Sequence, residues 1–417
     1  MKLPLVLAAL IAGVHSVATA NDLCDADNGG IVLDQGFCAM VVADGLGKAR
    51  HLVVRDNGDI YVALRGDNGG VLALRDSNGD GRADVREQFF DEEGGTGIGI
   101  SEGYLYFGAD QRIRRWKLDD NELIPVGDPQ LVATLPQQHV HAAKSLAFDG
   151  AGELYVNVGA PSNACQKPSR TAGVAGQDPC ALLERHGGIW RFSTDKTSQQ
   201  QFDGVRYATG IRNAVAVTWN TANDTLYIVQ HGRDQLDTLW PDVFTEEQRI
   251  ELPAEEMFEV QLGDDFGWPY CYYDPFKKQK VLNPEYGGDG DKVGRCSEFA
   301  DPIAAFPAHW APNGIVFYDG TQFPEPYRGG AFIVFHGSWN RSPEPQAGFN
   351  IVFVPFADGR AAGDWHVFAD KFAGKKPPKR RRNARHRPSG VATGPDGSLY
   401  VSEDETGRIW RISYVGE

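Results

Sequence analysis

Cationic and imidazole side chains recur at equivalent places along this chain. They stand just ahead of a short apolar stretch in five of six similar segments: Arg50 and His51; His139, His141 and Lys144; Arg212 and Asn213; His309 and Asn313; and Arg385, His386 and Arg387. The remaining segment has only Gly95-Thr96-Gly97 there, which offers space rather than charge. Grouped arginines hold anionic groups through bidentate, charge-assisted hydrogen bonds. An imidazole changes charge near neutral pH, which suits it to general-base work. The pattern predicts an anionic ligand held beside a proton-accepting histidine.

A second constellation has metal-ligand spacing. Asp76, Asn78, Asp80, Arg82, Asp84 and Glu87 occupy positions one, three, five, seven, nine and twelve of a loop, with Gly81 at its sharp turn. That is the spacing of a Ca²⁺ loop, in which position seven offers its backbone carbonyl. The preceding VLALRD reads as a strand, so a helix-loop-helix frame is not expected. A compact structural Ca²⁺ loop between strands is expected, and an Asx-rich turn is the alternative.

The elements that carry these residues are repeated. Each copy has an apolar strand, a Gly/Asp turn, a second strand often reading Leu-Tyr-Val, and a third strand. Copies begin at His51, Ile98, Ser145, Val215, Gly314 and Gly390, with second strands at Tyr61, Tyr106, Tyr155, Tyr227, Ile333 and Tyr400. Alternation across an Asp-Gly or Asn-Gly turn is a hairpin signal, and hairpins repeated at this period indicate a propeller. The expected fold is all-β: a six-bladed β-propeller of four-stranded antiparallel blades. The widest gap, between Tyr227 and Ile333, places an insertion around Cys271 and Cys296, between blades four and five. First strands line the channel of such a fold, so the cationic residues should share one rim.

Composition agrees. The 417 residues include 49 Gly and 24 Pro, which favours short strands and turns. The net charge of −15 argues against nucleic acid. Residues 1–20 read as a signal peptide: Lys2, an apolar run, then Ala18-Thr19-Ala20, with cleavage after Ala20. Residues 21–417 then form a single propeller domain, periplasmic or secreted, with no stable membrane insertion. Six cysteines in three sequence-close pairs fit disulfides, each contributing about 3 kcal/mol. One stretch breaks the acidic trend: residues 375–387 read KKPPKRRRNARHR, either a solvated loop or an anion-facing one. Asn223 and Asn340 head glycosylation sequons.

Several segments together resemble a known family: HAAKSLAFDGAGELYVNVG, GIRN at Gly210, HGRD at His231, FGWPYCYYD, PAHWAPNGIVFYDG, HGSWNRS and RHRPSGVATGPDGSLYVSED. They are similar to the soluble pyrroloquinoline quinone (PQQ)-dependent sugar dehydrogenases, especially the sorbosone and pyranose dehydrogenase branch, over nearly the whole mature chain. The resemblance implies an oxidoreductase that moves hydride from a sugar, alcohol or aldehyde to PQQ-Ca²⁺ and passes electrons to an external cytochrome or quinone-type acceptor. It assigns His141 as the base and Arg212 as the charge-stabilising arginine, with Asn213 beside it on the cofactor. It places the carbonyls of Gly232 and Arg233 on the cofactor's Ca²⁺, and Arg341, Arg385 and Arg387 on the PQQ carboxylates. Lys144 is expected at the same site. The chain departs from the family where a glutamine is usual, near Gly95 or Thr96, and the basic position in HGSWNRS stays open between Asn340 and Arg341. Two other readings stand beside this one. A Ca²⁺-dependent propeller lactonase needs carboxylates converging on a channel metal, and a non-enzymatic binding propeller needs only the fold.

Overall fold

Alternating apolar residues around tight polar turns fold as stacked hairpins. In the computed structural model, which describes residues 24–416, these build six antiparallel sheets. Blade one holds Ala49–Val54, Ile60–Leu64, Gly70–Arg75 and Val85–Asp91. Blade two holds Gly97–Ser101, Tyr104–Gly108, Arg112–Lys117 and Gln130–Thr134. Blade three holds Leu146–Phe148, Glu153–Val158, Gly188–Ser193 and Val205–Thr209, and blade four Ala216–Asn220, Thr225–Gln230, Glu255–Val260 and Ala304–Phe306. Blade five holds Pro312–Phe317, Ala331–Phe335, Asn350–Val354 and His366–Asp370. Blade six joins Pro388–Thr393, Leu399–Glu403 and Ile409–Tyr414 to Phe37–Ala43 from the other end of the chain. The six-bladed propeller is as the repeats indicate. The proposed leader and its cleavage point after Ala20 lie outside the described residues.

Second strands are buried on both faces because each blade is sandwiched between two others. All of Ile60–Leu64, Thr225–Gln230 and Ala331–Phe335 is buried, which is why these strands read as continuous apolar runs. Apolar clusters fill the spaces between neighbouring blades. Tyr61, Val71 and Ala73 of blade one meet Leu105 and Phe107 of blade two. The ring closes where Val42, Tyr400 and Ile409 of blade six meet Val62 and Leu64 of blade one. Pairing of Phe37 opposite Tyr414 through Val41 opposite Trp410 fastens the two ends of the chain. The ring is thus closed between blades six and one, and the blades keep only short, protected edges, as propellers do.

The insertion falls inside blade four rather than after it. Short helices Leu236–Leu239 and Glu246–Glu251 separate its second and third strands, and a hairpin, Cys271–Asp274 with Gln279–Leu282, precedes its outermost strand. That outermost strand, Ala304–Phe306, has three residues, too few to show alternation in the sequence. Disulfides Cys24–Cys38, Cys165–Cys180 and Cys271–Cys296 join the sequence-close pairs. Among the described residues no helix is long and apolar enough to cross a membrane.

One glycine pair decides how closely blade two approaches blade three. Gly97 and Gly108 are cross-strand partners, and a Cβ on either would fall onto the carbonyl oxygen of Lys144. The loop bearing His141 enters blade three through that gap. Gly97→Ala should overpack it at a cost of about 1–3 kcal/mol. A thermal melt with an unchanged midpoint would contradict this account.

Candidate active site

In the propeller two families of loops reach the same rim: those running from one blade's outer strand into the next blade's inner strand, and those following each second strand. The first family brings Arg50, His139, His141, Arg212, Asn213, His309 and Asn313 to a cavity of about 340 Å³. The second adds Arg65, Arg170, His231, Asp234, His336, Trp339 and Asn340. The volume falls in the range of small-molecule sites, about 300–1,000 Å³.

His141 is held with unusual firmness. Its backbone adopts φ +54°, a left-handed conformation uncommon for residues other than glycine. The Gln138 amide fixes that turn by donating to the carbonyls of Val140, His141 and Gly159 at 3.0, 2.8 and 2.9 Å. Gly159 lies directly beneath, where a Cβ would sit 2.6 Å from Asn213 Oδ1 and 2.7 Å from the His141 carbonyl. The imidazole Nδ1 is 2.6 Å from the Ala160 carbonyl oxygen. A carbonyl only accepts, so Nδ1 carries the proton and Nε2 carries the lone pair. Burial first, and then the Arg212 charge, lower its pKa to about 3, so the ring is neutral at working pH.

Arg212 is buried and keeps its backbone fixed by donating its amide to Gln230 Oε1 at 2.9 Å. One guanidinium nitrogen donates to Asn163 Oδ1 and Asp234 Oδ2, each at 3.0 Å. Its buried Nε has no partner among the described residues, nor has Arg50 Nε. Asp234 also accepts from Arg170 at 2.8 Å and from Asn340 Nδ2 at 3.1 Å. Burial alone would raise the Asp234 carboxyl, but Arg212, His309 and Arg170 hold it well below the ordinary carboxylate range. Two blades further round the ring Asp404 has the matching role, accepting from Arg50 at 2.6 Å and His336 Nε2 at 2.7 Å. Asp404 too is held low, because those partners outweigh its burial.

Other expected residues lie elsewhere. Lys144 is fully buried, its Nζ donates to the Ala142 carbonyl at 2.6 Å, and burial pushes its pKa down to about 7. It supports the base loop from below without lining the cavity. Arg341 turns to the insert, donating to the Ile250 carbonyl at 2.7 Å and pairing with Glu251 at 2.9 Å, so Asn340 takes the cavity-facing position. Arg385 is exposed outside the cavity. Arg387 is buried and donates to the carbonyls of His336 and Gly337 at 3.1 and 2.8 Å, behind the cavity wall. Gly232 borders the cavity with Arg233 beside it, and neither carbonyl oxygen accepts a hydrogen bond among the described residues. The Arg233 side chain instead forms a buried ion pair with Glu285.

Residues 76–87 form an exposed turn and the start of a strand. Asp76 accepts from the backbone of Gly79 and Gly81, each at 2.7 Å, and Asn78 and Asp80 cap the next amides at 2.9 Å. Asp84 accepts from Ser77, Arg82 pairs with Asp25, and Glu87 is strand-paired opposite Ala73. Among the described residues no three His, Cys, Asp or Glu side chains come together as a metal site. The Asn340 sequon is also spoken for, since its amide is buried against Asp234.

The chain matches the TrAA12-like family model over residues 31–415. It belongs to the TrAA12-like family. An uncharacterized protein of Borreliella burgdorferi is 28% identical over 289 residues, 68% of this chain and 64% of the relative. The PQQ-dependent pyranose dehydrogenase of Coprinopsis cinerea is 27% identical over 235 residues, 49% of this chain and 30% of that protein. The chain thus spans less than two thirds of the curated relatives it matches. A solved structure of the pyranose dehydrogenase PQQ domain in holo form has a TM-score of 0.72 at 18% identity, covering 92% of this chain and 97% of that one. A calcium structure of a Trichoderma reesei family AA12 enzyme has a TM-score of 0.76 at 19% identity, covering 95% and 100%. The fold is that of PQQ-dependent sugar oxidoreductases.

Burial of neutral imidazoles makes stability depend on pH. His51 and His231 are lowered to about 4 and His141 to about 3, each chiefly by burial. Between about pH 6.5 and 4 the unfolded chain binds protons on these rings while the folded chain does not, so stability falls as pH falls. Glu255, raised to about 7 mainly by burial, works in the opposite sense between about 4.5 and 7. His186 and His336, also lowered to about 4 chiefly by burial, bring the rings to five, which outweigh Glu255 together with Glu256 and Asp265, both also raised by burial. The apparent Tm should drop steadily from pH 7 to pH 4.5, and a flat Tm over that interval would refute this assignment.

Proposed function

We propose that this chain is an exported quinoprotein dehydrogenase that oxidises a sugar or a sugar-derived alcohol or aldehyde and delivers the electrons to an external acceptor. The observation that carries the reading is His141, a neutral base with its tautomer fixed, in the same cavity as Arg212. The residues present fit a tricarboxylate quinone. Arg50 and Arg212 keep buried guanidinium donors without partners, and Arg65 and Arg170, paired with Asp110 and Asp234, line the same cavity. PQQ with Ca²⁺ supplies, when bound, the hydride acceptor and the Lewis acid.

Arg50, Arg212 and Asn213 would hold the cofactor, and the two uncommitted carbonyls of Gly232 and Arg233 suit a hard cation such as Ca²⁺. His141 Nε2 accepts the proton of the substrate hydroxyl, and the Ala160 carbonyl stabilises the imidazolium that forms by keeping its Nδ1–H bond. Arg212 stabilises negative charge developing opposite the base, as fixed donors do in an oxyanion site. Asp234 and Asn163 keep that guanidinium from turning away. The Trichoderma and Coprinopsis relatives support sugars as the substrate class. Three disulfides support an oxidising compartment, periplasmic or extracellular.

Apo-protein reconstituted with PQQ and Ca²⁺ should reduce a dye in the presence of aldoses or a sorbosone-type aldehyde. His141→Ala should lower kcat about 10²- to 10⁴-fold and leave quinone binding intact. Arg212→Ala should lower kcat about 10²- to 10³-fold and also weaken quinone binding. No quinone binding by the parent protein would refute the reading.

A further inference from the structure

Residues 375–385 carry Lys375, Lys376, Lys379, Arg380, Arg381, Arg382 and Arg385 in a chain of net charge −15. Every one of these side chains is exposed. None forms an ion pair, or donates a side-chain hydrogen bond, to any described residue. Elsewhere on this acidic surface arginines find carboxylates readily, as Arg408 finds Asp44 and Arg411 finds Asp396. Seven neighbouring cations that repel one another and lack partners are held together by the fold, not by their own charge.

The backbone shows what holds them and where. Gln346, which is buried, donates its backbone N–H to the Pro378 carbonyl at 2.8 Å and its side-chain Nε2 to the Lys379 carbonyl at 3.5 Å. The same side chain accepts from Ser338 Oγ at 2.8 Å, next to Trp339, which lines the cavity yet is 53% exposed. At the other end of the strip, Arg387 grips the carbonyls of His336 and Gly337. The strip is therefore fastened at both ends to the segment that walls the cavity mouth.

We propose that this strip, with Trp339 at its inner margin, binds an anionic saccharide chain, carboxylated or sulfated, and leads it to the cavity. A basic run of this kind takes polyanions. An acidic globular protein would need a footprint of about 800 Å², bringing it against the acidic remainder of the surface. A single polysaccharide chain follows the strip and touches little else, and an exposed indole offers its face to sugar rings. The saccharide identity rests on the dehydrogenase reading, whereas the binding itself does not.

The test uses the full chain without cofactor, so it is independent of turnover. Titration calorimetry with polygalacturonate, dextran sulfate, poly-L-glutamate and a neutral cello-oligosaccharide would be run from low to physiological salt. Either or both anionic glycans should bind with an affinity that falls as salt rises, and the neutral glycan should not. K379Q/R380Q/R381Q/R382Q should bind at least tenfold more weakly with an unchanged melting temperature, since these exposed side chains make no ion pair or hydrogen bond with any described residue. Trp339→Ala should weaken glycan binding and leave poly-L-glutamate unaffected. Which glycan binds more tightly separates carboxylate from sulfate. Absence of glycan binding at physiological salt would overturn the proposal. So would poly-L-glutamate binding as tightly as the glycans, which would mark the strip as a dock for acidic polypeptide.

Discussion

The buried carboxylates Asp234 and Asp404 are what make this cavity possible. Four arginines and several histidines converge on a single channel mouth, where desolvation penalises each charge. Asp234 takes Arg170, Arg212 and Asn340 at once, and Asp404 takes Arg50 and His336. Removing one partner from such a buried set leaves an uncompensated charge, commonly at a cost of about 3–5 kcal/mol. The two acids stand after the second strands of blades four and six, so they brace the rim on either side of blade five. Arg170 and Arg212 share the single charge of Asp234, and the unpaired Nε donors of Arg50 and Arg212 are those the proposed anionic cofactor would meet.

The propeller converts that local balance into position. Strand ends converge on the axis, and the rigid pairing of each blade leaves the loops little freedom. Small residues set the final distances. Gly97 and Gly108 admit the Lys144 carbonyl, and Gly159 admits both His141 and Asn213. The disulfide-closed loop between the second and third strands of blade three carries Asn163 and Arg170 to Asp234. The insert in blade four meets Arg341 and reaches His309 through the Arg249 carbonyl.

Much of this was legible in the chain. Leu-Tyr-Val strands after Asp-Gly turns repeat openly, so six blades and their second strands could be counted. Arg50, His139, His141, Arg212, Asn213, His309 and Asn313 could be placed at the rim because they precede inner strands. The residue pattern alone did not draw on the loops that follow second strands, although Arg65, His231, Asp234, His336 and Asp404 all stand there; only the family resemblance pointed to two of them, through HGRD and HGSWNRS. Their signal is a charged or imidazole residue within four positions of a buried strand's end, a pattern visible once both loop families are known to share a face. Arg341, Arg385 and Arg387 could not be sorted by sequence. Whether an arginine faces a cavity or caps a carbonyl depends on a degree of rotation that spacing does not encode. Glu87 shows the same limit, because the twelfth position of its loop fell within a strand.

The tether on His141 carries a consequence for catalysis. A carboxylate on Nδ1 would raise the basicity of Nε2 and hold it high whether or not a ligand was present. The Ala160 carbonyl orients the ring with far less effect on its charge, and burial and Arg212 keep the free base weak. An anion that pairs with Arg212 cancels the larger of the two charge repulsions acting on the ring. On the dehydrogenase reading proposed above, basicity at Nε2 would rise on arrival of the anionic ligand, and the same guanidinium would couple proton abstraction to occupancy of the site.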